Sequence, residues 1–162
     1  MPGNISIIMT IILKEISLMS KYFNLLELCH SDTADELHID NTPNDEVRAN
    51  LDILMELLDK IREKWKSPIY VTSGYRCPQL NKKVGGAAHS QHILGQAADI
   101  KAKNKKNREL FYLIKSMVQS GEIEVGQLIW EYGTDKAPKW IHVSTPDGKH
   151  HNQILYIGVK HE

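Results

Sequence analysis

The sequence predicts an α+β domain, an antiparallel sheet flanked by helices. Three observations carry that prediction. Two long segments place apolar residues at helical spacing, and several short segments rich in β-branched and aromatic residues read as strands. Helices and strands fall in separate blocks along the chain, without the regular βαβ alternation of a parallel sheet. The third is bulk composition. Of 162 residues 41% are hydrophobic and 25% charged, close to the globular average, which excludes disordered, collagenous and coiled-coil classes. A chain of this length buries roughly 70% of its unfolded surface, so a monomer is expected.

Taken in order, Ile5 to Leu13 form an apolar run with no Lys or Arg before it and Lys14-Glu15 after it. The run is far shorter than the roughly 20 residues a membrane span needs. It also lacks the positive flank and small-residue cleavage site of a signal peptide. Residues 1–18 are therefore expected to be an extension, or translation from an upstream start, and residues 19–159 one domain. Residues 22–28 suggest a short helix. A clear helix follows, with Thr42 as N-cap, Pro43 in the first helical position and Asp45 in the first turn. Val47, Leu51, Leu54, Leu58, Ile61 and Trp65 draw its buried stripe, and Ser67-Pro68 ends it.

Ile69–Thr72 reads as a strand. Residues 73–96 carry Gly74, Gly85, Gly86 and Gly95 without a long apolar period, a loop region with one short helix near Pro78–Lys83. Long ordered loops in compact domains are usually functional. Ala97–Ile100 reads as a strand entering the core. A second helix is expected from Lys106 to Ser120, with Leu110, Leu113, Ile114, Met117 and Val118 inward and Gly121 as its stop. Gln127–Tyr132 and Trp140–Ser144 alternate as two strands around a Gly133–Lys139 turn, and Gln153–Val159 supplies the last strand.

Lys+Arg and Asp+Glu both number 20, so the basic excess of a dedicated nucleic-acid binder is missing. Cys29 and Cys77 cannot make a disulfide framework and read as small buried thiols. Eight histidines are the informative excess, because hydrolytic zinc sites use three His or carboxylate ligands and leave a fourth position open. His92 and Asp99 are seven residues apart, and a turn at Leu94-Gly95 can fold both around one ion. Asp99 lies beside an apolar strand, where a carboxylate needs a partner. His142 lies mid-strand on the face shared with Trp140 and Ser144. Alone it would read as a core histidine; with His92 and Asp99 it completes a ligand set. His150, His151 and His161 stand in a polar C-terminal stretch and read as solvent-exposed. Trp130 and Trp140 read first as core.

Ser90-x-His92-x-x-Gly95-x-Ala97-x-Asp99 then carries a specific resemblance. It matches the S-x-H-x-x-G-x-A-x-D signature of the zinc D-alanyl-D-alanine carboxypeptidase family, which also includes bacterial and phage L-alanyl-D-glutamate endopeptidases. Ser73-Gly74-Tyr75-Arg76, Asn81, Gly85-Gly86 and Trp140-Ile141-His142-Val143-Ser144 follow in that family's order, over about residues 20–158. Five fixed positions coincide by chance about once in 10⁴ chains of this length at ordinary residue usage.

The resemblance implies a Hedgehog/D-Ala-D-Ala metallopeptidase-like fold, with zinc held by His92, Asp99 and His142. Arg76 matches the arginine that binds the substrate carboxylate or steadies the oxyanion, and Ser90 is placed to hold substrate or orient His92. The implied activity is hydrolysis of peptidoglycan stem peptides at the cell wall or periplasm, after cytoplasmic synthesis, by a bacterial or phage-encoded enzyme. Neither a nucleic-acid partner nor a membrane span is expected. One position departs from the family pattern. Many relatives carry a base carboxylate three residues before the third ligand, where this chain has Lys139. A charged lysine cannot accept a proton, so Glu131 on the adjoining strand is the expected base, in register opposite His142 and with partial burial raising its pKa. The alternative is a zinc-stabilised module that binds wall peptides without cleaving them.

Overall fold

The computed structural model describes residues 20–161; the expectation for residues 1–18 lies outside them. Two short helices, α1 (Leu25–Cys29) and α2 (Asp32–Glu36), lead into the 21-residue helix α3 (Asp45–Trp65). Strand β1 (Ile69–Ser73), helix α4 (Pro78–Lys83) and a 3-10 turn (Gln91–Leu94) come next. Strand β2 (Ala97–Ala102), helix α5 (Asn107–Gln119) and strands β3 (Gln127–Glu131), β4 (Trp140–Ser144) and β5 (Gln153–Ile157) complete the domain. The class is α+β, as the sequence predicts.

The N-terminus of α3 differs from expectation. Asn44, not Thr42, is the cap: its side chain accepts from the Val47 amide at 2.9 Å, and Pro43 stays outside the helix. Thr42 is instead held in a turn by Asp40, whose carboxylate takes the Thr42 amide at 2.9 Å. The buried stripe is as predicted, with Leu51, Leu54, Leu58 and Ile61 fully enclosed. Lys66 closes the helix in the left-handed region at φ 58°. In α5 Phe111 takes the inward position and Leu113 is only partly covered. Asn107, the first residue of α5, accepts from the Ala102 amide and donates to the carbonyls of Pro138 and Lys139. That one side chain ties the end of β2 to the turn before β4.

The five strands lie in the order β1-β2-β4-β3-β5. The first three pairings are antiparallel, but β5 runs parallel to β3, so the sheet is mixed. The return segment explains the direction. After β4 the chain crosses back beside the start of β3, where Asn152 exchanges hydrogen bonds with Val125 through its amide and side chain, and β5 sets off alongside β3. Strand alternation separates two faces. Ala98, Ile100, Leu128, Trp130, Ile141 and Val143 join α3 and α5 in the core. Asp99, Ile129, Glu131, Trp140 and His142 project from the opposite face, beneath the loops between β1 and β2.

Candidate metal centre and its cleft

Register places one row of side chains across that face: Ser73 on β1, Asp99 on β2, His142 on β4 and Ile129 on β3 are direct neighbours in turn. His92 comes from the 3-10 turn above the row. The Ser90 side chain caps the turn by accepting from the His92 amide at 3.3 Å. Gly95 ends it at φ 68°, and a Cβ there would stand 2.8 Å from Val47 Cγ1 and from the Val47 carbonyl oxygen. Only glycine combines that left-handed backbone with so close an approach.

The His92 ring is oriented by its Nδ1–H, which donates to the Gly74 carbonyl at 2.7 Å. This leaves the Nε2 lone pair facing inward, the arrangement by which a hydrogen-bond partner fixes a metal-ligating histidine. Gly74 is obligatory too, since a Cβ would stand 2.2 Å from the Leu28 carbonyl oxygen. His142 differs: its Nε2 is buried without a hydrogen-bond partner among the described residues. The fold therefore fixes the tautomer of His92 through the protein itself.

Three ligand atoms converge. Asp99 Oδ1 is 3.3 Å from His92 Nε2 and 3.1 Å from His142 Nδ1, and the two nitrogens are 3.3 Å apart. A tetrahedral zinc with ligands at about 2.0 to 2.1 Å requires edges of about 3.3 to 3.4 Å. All three residues are buried, at 3%, 7% and 8% exposure for His92, Asp99 and His142. One cation at the centre of the triangle would engage all three atoms at once. The donor set and spacing fit zinc.

Burial is the largest influence on His92 and holds its pKa below the ordinary value, keeping the ring neutral as a ligand must be. Burial by itself would raise Asp99, but the charge and hydrogen bonds of His92 and His142 hold its carboxyl far below the usual range. The second Asp99 oxygen, Oδ2, accepts from Arg76 at 3.3 Å. Arg76 further donates from Nε to Ser73 Oγ at 3.0 Å and toward Asn81 Oδ1 at 3.4 Å. Burial lowers the Arg76 pKa, with Asp99 and Glu131 opposing; a guanidinium stays charged regardless.

An open cleft of about 510 Å³ stands over the three ligands, with Arg76, Ser90, Glu131 and Trp140 in its walls. The structure thus brings every sequence-predicted site residue to one place. It corrects the expected register, however. Glu131 pairs with Trp140, and His142 pairs with Ile129. Two consecutive left-handed residues, Tyr132 (φ 52°) and Gly133 (φ 76°), start the turn early, and the Lys139 amide closes it onto the Glu131 carbonyl at 3.0 Å. The slip is by two residues, so Glu131 stays on the His142 face, diagonal to it, a relation that corresponds to roughly 7 to 8 Å. Trp140, expected in the core, lines the cleft and donates its indole N–H to Glu131 Oε2. The Lys139 ammonium rests over the Trp140 ring, 5.5 Å from its centroid.

Sequence reasoning missed Gln91, whose side-chain Nε2 donates to Asp147 Oδ2 at 2.7 Å and toward the Thr145 carbonyl at 3.4 Å. Asp147 also takes His150 Nδ1 at 2.8 Å, so His150 is partly buried rather than free in solvent. The motif's unassigned position between Ser90 and His92 was the available signal. Cys29 and Cys77 are free thiols, and burial pushes Cys29 up to about 11.

A family model described as Peptidase M15 matches residues 21–144. The chain belongs to the peptidase M15 family. The matched span contains His92, Asp99, His142, Arg76, Ser90 and Glu131, and ends with β4. No curated protein matches the sequence. Membership in M15 together with the buried His92–Asp99–His142 group supports a zinc peptidase in general terms. Among the described residues no helix is long and apolar enough to cross a membrane.

Proposed function

We propose that this M15 chain is a zinc-dependent peptidase hydrolysing peptidoglycan stem peptides, of the D-Ala-D-Ala carboxypeptidase or L-Ala-D-Glu endopeptidase type. The observation carrying the proposal is the triangle of ligand atoms at 3.1 to 3.3 Å on the floor of an open cleft. His92 Nε2, Asp99 Oδ1 and His142 Nδ1 would hold the ion. When bound, zinc supplies Lewis acidity and makes water acidic enough to lose a proton near pH 7.

The remaining work falls to the chain's own groups. Glu131 accepts the proton of the attacking water and returns it to the leaving nitrogen. Arg76, pinned beside Asp99, offsets the negative charge that develops on the substrate carbonyl oxygen. Ser90 presents its hydroxyl from the cleft wall to the substrate backbone. On this reading residues 19–159 form one monomeric unit of the Hedgehog/D-Ala-D-Ala metallopeptidase type, acting at the cell wall or periplasm and encoded by a bacterium or phage.

Incubating zinc-loaded protein with purified peptidoglycan should release D-alanine or new amino groups. Glu131→Gln should keep its zinc and lose roughly 10²-fold in rate, the usual scale for a lost acid–base group. Lys139 at the family's base position favours a second reading, a module that grips wall peptides without cutting them. Cosedimentation with peptidoglycan at full zinc content and with no product would select it.

A further inference from the structure

The metal cleft has two extensions, each meeting it at shared residues. Arg76 and Val84 line both the cleft and a groove of about 360 Å³ that follows Val71–Ser73 to Glu27, His30 and Asp32. Ser90 lines both the cleft and a second groove of about 430 Å³, floored by Ile93 and Leu94 and rimmed by Lys149 and His150. Both volumes fall in the range of ligand-binding clefts, roughly 300 to 1,000 Å³. The two grooves have no lining residue in common. The fold sends them to different rims. One follows β1, an edge strand of the sheet; the other lies past the end of β4, on the Gln91–Asp147 contact.

A substrate whose scissile bond sits over the three ligands therefore has room for further residues in both directions.

We infer that the enzyme is an endopeptidase, cleaving a bond inside a peptide that runs from the β1 groove across the metal cleft into the Ile93–His150 groove. The inference rests on the peptidase reading above and selects between its two activities. The chain extending over β1 meets a polar, acidic surface, because Glu27, Asp32 and Asp35 lie at that end and His30 is paired with Asp32 at 2.9 Å. The chain leaving past Ser90 meets an apolar floor with Lys149 and His150 at its rim.

The test uses a synthetic stem pentapeptide acetylated at its N-terminus and amidated at its C-terminus, beside the same peptide with a free carboxylate. Each is incubated with the zinc-loaded full chain and read by mass spectrometry. Cleavage of the doubly blocked peptide at a bond other than its C-terminal one, at a rate within about threefold of the free-carboxylate peptide, is expected. Loss of a single terminal residue, and only from the free-carboxylate peptide, would overturn the endopeptidase assignment while leaving the peptidase reading intact. No cleavage of either by zinc-loaded protein would overturn both. Val84→Trp, at an exposed position on the shared rim, should slow the doubly blocked peptide at least fivefold with unchanged zinc content. An unchanged rate would reject the β1 groove as the path.

Discussion

The Trp140 indole N–H donates to the Glu131 carboxylate from the residue directly opposite it in the β3–β4 hairpin. The bond holds the carboxylate from one side, and the Lys139 ammonium covers the indole face. Lys139 is thereby seated on a ring, and Glu131 on the neighbouring strand lines the cleft beside it. Trp140→Phe keeps the ring and removes the donor. Hydrogen bonds to charged groups contribute about 1.5 to 3 kcal/mol, so hydrolysis should fall at least about tenfold with zinc retained. In a Glu131→Gln background the same change should cost little, the non-additivity expected of groups acting as a unit. Equal costs in both backgrounds would show that Trp140 acts elsewhere.

Metal ligands stabilise only the native state, so their loss should be visible without any substrate. His92→Ala and His142→Ala should each reduce zinc below about one ion per chain and remove the rise in Tm that zinc gives the wild type. Full occupancy by atomic absorption in both variants would reject the ligand set.

Chelated protein should show a definite pH response. Burial lowers the pKa of His92 in the fold, so between that value and the ordinary pKa near 6.5 the unfolded chain binds a proton that the native chain refuses. Stability is thus complete above about pH 6.5 and falls as pH drops below it. Asp99, held low, adds its own loss only below about pH 4. His92→Gln should flatten the upper part of the profile, as read by Tm against pH in chelator.

Arg76→Lys preserves charge but cannot reach Ser73, Asn81 and Asp99 together. Turnover should drop by about tenfold or more while zinc content stays near one. Wild-type rates would mean that Arg76 merely braces the loop.

Gly95→Ala probes the turn that delivers His92. A left-handed non-glycine residue costs roughly 1 to 2 kcal/mol, and here the new methyl meets Val47 backbone and side chain at 2.8 Å. A loss of about 2 kcal/mol or more in denaturant unfolding is expected, together with weaker zinc binding.

The metal triad was legible because it depends on short-range rules. Strand alternation put Asp99 and His142 on one face, and a glycine turn returned His92 to it. What was misread depended on competition or on distant geometry. Thr42 and Asn44 are both good caps, and only the Asp40 contact with Thr42 decides between them. Helix α2 has a polar five-residue sequence with no apolar period to reveal it. The hairpin register turned on Tyr132 adopting the left-handed backbone that sequence assigns to Gly133 alone. The direction of β5 was set by where Asn152 docks, a long-range pairing with Val125 that no local pattern announces.

The clasp between Gln91 and Asp147 bears on how the protein can be trimmed. Residues 145–157 follow the span matched by the family, yet Asp147 and Thr145 hold the side chain immediately before His92. A fragment ending at Ser144 would keep every ligand and lose the hand that steadies one of them. A shortened form accordingly has to keep Asp147, and a fusion partner belongs after Lys160, whose backbone pairs with Gly133 and Asp135, rather than at the edge of the family match.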